Sequence, residues 1–147
     1  MSDLATFLNA RLDEDEQAAR AAAAANPGSV ATHWSAEQVD HRSSTGLRGT
    51  AWAVVPERVK GVTIAISPTE IRPLFVTHIA RHDPARVLRE VEVKRQIVSR
   101  ARDKIHLATE DPNSDILAGS AGAFAITLRL LALPYADHPD YREEWRP

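Results

Sequence analysis

Helix stop and start signals recur along this chain, and they limit its fold to short helical segments that must pack back on one another. They are Asn26-Pro27-Gly28, Ser67-Pro68-Thr69-Glu70, Asp83-Pro84, Asp111-Pro112-Asn113 and Pro134. Proline lacks an amide proton and disfavours helical backbone at the residue before it, so each signal ends one element or opens the next.

Between these breaks the apolar residues recur at helical spacing. Residues 1–25 carry Leu4, Leu8, Leu12, Ala19 and Ala22 on one stripe, with Ser2 or Asp3 as the cap and Asp15 set inside the stripe. Residues 67–107 read as two helices broken at Asp83-Pro84. In the first, Ile71, Leu74, Phe75, His78, Ile79 and His82 share a face that is expected to point inward. In the second, Val87, Val91, Val98, Ala101 and Ile105 form a near-heptad seam. Residues 120–133 are apolar almost all round, so this helix is expected to be the most buried element.

The remaining segments are weaker helix formers. Residues 26–49 have little periodicity and read as mostly loop, with Ser35 and Gln38 as a capping box for one short turn. Thr50–Val55 and Val62–Ile66 are rich in β-branched residues and flank Pro56 and Gly61, which predicts a β-hairpin over 50–66. The tail, 134–147, is expected to dock through Tyr141 and Trp145. The fold class that follows is mainly helical α+β, with about four principal helices and one β-hairpin in a single domain.

Composition narrows the chemistry. The 147 residues include no cysteine, which removes disulfides, thiolate nucleophiles and thiolate metal sites. A formal charge of −2 argues against bulk attraction to nucleic acid, although the charge is uneven. Residues 1–20 hold five acids against two bases, and residues 81–104 hold eight bases against four acids. No apolar run is read as long enough to cross a bilayer and no secretory signal opens the chain, so a cytoplasmic location without a membrane is expected. Serine-nucleophile, phosphate-loop and dinucleotide motifs are missing, which leans against an enzyme.

Three groups of residues are candidates for function. His78 and His82, four apart on a helix, can present two imidazoles to one divalent metal, with Asp15, Asp137 or His138 as further ligands. The bland alternative is a structural polar cluster in which Asp15 meets the two histidines, and otherwise no cofactor is expected. Arg86, Arg89, Arg100 and Lys104 fall within roughly 60° on the helical wheel. Such a stripe can follow phosphates or meet an acidic partner, with Asp13, Glu14 and Glu16 of the first helix as an internal competitor. The bland reading is a solvated or internally paired face, and no aromatic or glycine-rich element that would favour nucleic acid accompanies it. Tyr135, Tyr141 and Trp145 in the tail can serve partner docking or pin the terminus to the core.

Three blocks carry a resemblance: Ala10 to Gln17, His78 to Glu92 and Leu130 to Pro147. In them the chain resembles a family of small actinobacterial and actinophage proteins catalogued as domain-of-unknown-function family 6221. The resemblance implies no established activity. Relatives with cysteines and further histidines after the long helix would suit a metal there, whereas Asp111 to Ala125 of this sequence contains neither. The preferred expectation is a non-catalytic protein-protein interaction or regulatory module, binding an unknown protein partner or forming a homo-oligomer. The alternatives are a His/carboxylate metal-binding protein or hydrolase, and a nucleic-acid binder.

Overall fold

A computed structural model of the chain describes residues 2–25, 31–42, 48–57, 63–66 and 73–147. It holds four helices, α1 (Ser2–Ala24), α2 (Pro73–Arg81), α3 (Pro84–Glu110) and α4 (Asp115–Ala132). A three-stranded antiparallel sheet has the order β1 (Trp34–Arg42), β2 (Arg48–Pro56), β3 (Ala65–Ile66). The fold is mainly helical α+β, as the pattern of breaks requires. The chain divides into two compact units, residues 1–15 with 90–147, and residues 16–89.

The first unit is built on one apolar core. Leu4, Phe7 and Leu8 of α1 meet Val98 and Ala101 of α3, Leu128 and Ala132 of α4, and Trp145 of the tail. The stripe of α1 is therefore buried as its spacing predicts, and so is the seam of α3. Helix α4 begins at an N-cap, Ser114, whose hydroxyl accepts from the Leu117 amide. It starts earlier than residue 120 because Gly119 and Gly122 weaken the local helix signal without breaking the helix.

The expectation that α4 is the most buried element is wrong. Only Leu128 and Ala132 are fully buried, and Ile116 is 84% exposed. The helix packs on α1 and α3 through one side, and its second apolar side is exposed among the described residues. The stretch Asp115–Tyr135 is also long and apolar enough, by length and composition, to cross a membrane, which corrects the reading that no such run exists.

The second unit holds the sheet. Residues 34–42, read as part of a loop, form β1 and pair along their length with β2 in the register Gln38↔Trp52. The predicted hairpin over 50–66 corresponds to the β2–β3 pair, in which Ala53 faces Ile66. β1 has no apolar alternation, so its strand comes from pairing with β2, a long-range effect that local propensity does not encode. Gln38 is no helix cap; its side-chain amide donates to the Thr50 hydroxyl at 3.0 Å on the neighbouring strand.

Helix α2 packs on β1 and β2 through Val76. Its predicted inward face is turned the other way: Leu74, Phe75, His78, Ile79 and His82 are exposed. Among the described residues this helix begins at Pro73, and its nine residues have room for one narrow buried side. The start signal at 67–70, and Ile71, lie outside the described residues.

Candidate functional site

The polar residues that converge most closely do so around Arg11, in the first unit. The helical stripe of α1 carries Phe7 and Arg11 one turn apart, and the guanidinium carbon lies 5.2 Å from the centre of the Phe7 ring. Arg11 is only 7% exposed. Its Nη2 donates to Glu14 Oε1 at 2.6 Å, and its Nη1 lies 2.8 Å from His138 Nδ1 and 2.7 Å from His138 Nε2. Asp140 approaches the same guanidinium at 3.7 Å. Because a guanidinium carries only donors, the His138 ring is the acceptor in this contact. The Asp140 amide donates to His138 Nδ1 at 3.1 Å, which fixes the turn that places the ring.

One turn along α1, Asp15 accepts a hydrogen bond of 2.6 Å from the Tyr135 hydroxyl. Burial, then the hydrogen bond to Asp15 and its charge, push the Tyr135 phenol well above its ordinary range. The protonated phenol is the form that this bond favours. Asp13 pairs with Arg95 of α3, and Asp3 with Arg142 of the tail at 3.1 Å. The acids of the first helix are therefore used within the fold, and none of these pairs involves the predicted basic stripe.

Aromatic packing completes the join between α1 and the tail. The Phe7 ring lies 5.0 Å from Trp145, 6.1 Å from Tyr141 and 6.4 Å from Tyr135. A hollow of about 570 Å³ opens beside it, flanked by Asp3, Arg11, Asp140, Tyr141 and Trp145. The Arg11 Nε and the Tyr141 hydroxyl are buried there without an acceptor among the described residues.

Asp15 belongs to the first unit, and His78 and His82 belong to the second. Asp15 is taken by Tyr135. His78 and His82 instead stack on each other at 4.5 Å, both exposed, with the His82 ring nitrogen Nδ1 2.9 Å from the His78 carbonyl. Asp137 is exposed. Among the described residues no three His, Asp or Glu side chains come close enough to hold a metal. Arg86, Arg89, Arg100 and Lys104 are all exposed along α3. Arg11 was missed by sequence reasoning, although an arginine one turn from Phe7 on an apolar stripe is the signal that could have found it.

The second feature is the uncovered side of α4. At 100° per residue Gly119, Gly122, Ala123, Ile126, Leu130 and Leu133 fall within about 100°, on the side away from Leu128. Ile126 and Leu130 are 57% and 53% exposed. A solvated helix face normally carries charge, and this one has Asp115 at its start and Arg129 at its margin.

These features define a class: a small helical α+β protein in which a buried arginine and an aromatic cluster tie the tail to the first helix while one apolar helix face stays open. The chain belongs to the family of unknown function DUF6221, whose model matches residues 1–147. Comparisons with the curated proteins and with the solved structures find no match.

Proposed function

We propose that the protein is a non-catalytic interaction module that presents the open side of α4 to a protein partner. The observation that supports this reading is the exposure of Ile116, Ile126 and Leu130 on one contiguous helix face, since large exposed apolar patches mark interaction sites. The Arg11 cluster fits a supporting role, because its charges are matched by neighbours and its aromatic rings are packed against α1. A metal-dependent reading has less behind it, because no group of three His, Asp or Glu side chains that could hold a metal is found among the described residues.

The test is cross-linking and capture from the native cell, comparing the wild-type chain with Ile126→Glu/Leu130→Glu. Exposed positions tolerate these changes, so circular dichroism should report the same helix content. Loss of the captured species, this chain itself included, in the double variant is expected. Capture of the same species by both would overturn the reading.

A further inference from the structure

We infer that the occupant of the α4 face is the same face of a second copy, packed antiparallel about a twofold axis near Gly122 and Ala123. This rests on the reading of the face as an interaction surface and names its partner. The argument begins with the distribution of bulk. Beyond Ile116 the first half of the face is small, with Gly119, Gly122 and Ala123, and the second half is large, with Ile126, Leu130 and Leu133. Two such faces placed parallel would set small against small and large against large, leaving a gap at one end and a clash at the other. Reversing one copy sets Ile126 against the small residues of the other and leaves Leu130 beside the far end of the face.

The register follows from the spacing. With the axis between residues 122 and 123, Ile126 lies over the partner subunit's Gly119, and Leu130 reaches the level of the partner subunit's Asp115 and the partner subunit's Ile116. A Cβ built at Gly119 or Gly122 meets nothing within 4 Å, so packing inside the single chain does not require glycine at either position. Glycine is nevertheless costlier than alanine in a helix interior. Close approach of another helix uses the missing side chains, as glycine does wherever two backbones must come near.

Charge gives a second, independent indication. Asp115 and Arg129 are 14 residues apart, about 21 Å along the helix axis, and they sit nearly symmetrically about the same centre. In the antiparallel pair each Asp115 comes beside the partner subunit's Arg129. The rule for a twofold interface is satisfied, in that one patch is complementary to itself.

A membrane fits less well. The inner side of α4 lies against α1 and α3, and α3 carries Arg102, Asp103 and Lys104 beside Ala101 of that core. A spanning α4 would take those charges into hydrocarbon. A helix lying on a bilayer surface is normally rich in lysine and arginine along its polar side, and α4 has Arg129 alone.

Sedimentation velocity on the full chain from about 5 to about 500 µM tests the proposal. The wild-type protein is expected to shift from one chain to two. Gly119→Leu raises both helix propensity and apolar area, yet it fills the hollow that Ile126 needs, and it should weaken association by about 100-fold. Asp115→Arg and Arg129→Asp should each weaken it, and the double exchange should restore it. Stronger association of Gly119→Leu, or no recovery in the double exchange, would overturn the antiparallel arrangement.

A wild-type chain that stays single throughout this range would overturn the choice of a second copy. In that case loss of cellular capture in Ile126→Glu/Leu130→Glu would still uphold the interaction surface, and unchanged capture would remove both. Sedimentation of the single chain with anionic vesicles, abolished by Ile126→Glu, would assign the face to a membrane and refute the proposal.

Discussion

Replacing Arg11 separates what its charge contributes from what its stem contributes. Arg11→Ala removes two buried methylenes, at about 0.8 kcal/mol each, and leaves a space against Phe7. It also removes the hydrogen bond to His138, whose half-buried ring loses its partner, at about 1–1.5 kcal/mol. The pairing with Glu14 adds little, because that side chain is 58% exposed and an exposed ion pair is worth about 0–1 kcal/mol. Against these stands the relief of the unpartnered Nε, about 1 kcal/mol. The net expectation is a loss of about 2–3 kcal/mol for Arg11→Ala, and about half of that for Arg11→Met, which keeps the stem volume.

Urea unfolding followed by Trp145 fluorescence, with Trp34 and Trp52 changed to Phe so that only the first unit reports, measures both values. If alanine costs less than about 0.5 kcal/mol, the cluster is not what holds the tail to α1. If methionine costs as much as alanine, the stem contributes nothing and the packing argument is wrong.

Tyr135 keeps its proton in the folded chain beyond the ordinary value of 10.0. The folded state thus holds more protons than the unfolded one above that pH, and stability should fall as pH rises through this window. Tyr135→Phe should lose that alkaline slope, and an identical slope in both proteins would refute the assignment. Trp145→Ala should cost about 3–5 kcal/mol, since the ring is buried against Phe7 and Tyr141; thermal melts within a degree of the wild type would show the tail is not docked. Ser114→Ala should cost about 0.5–1 kcal/mol through the lost cap of α4, at the low end because the hydrogen bond is 3.4 Å long. No change in stability would mean that α4 starts without help from Ser114. His78→Ala should leave any bound metal content unchanged, which elemental analysis of the purified protein reads; a stoichiometric loss would revive the histidine site.

The elements that could be read locally share a property: their signals lie within a few residues. Leu4, Leu8 and Leu12 mark a buried stripe at any position in a fold, and Asp83-Pro84 separates α2 from α3 whatever surrounds it. The site was less legible. Asp15 within an apolar stripe shows that a polar partner is needed, but Tyr135 lies 120 residues away and His78 was an equal claimant by sequence.

The helical class, the breaks and the inward faces of α1 and α3 are legible from residue order, because periodicity and proline geometry act along the chain. Tertiary structure alone decided that residues 34–42 become a strand, that α2 turns its leucine and phenylalanine outward, and that α4 keeps one apolar side uncovered. Pairing and burial depend on which distant surfaces meet, and a helix apolar all round does not record which of its sides its own chain will fill.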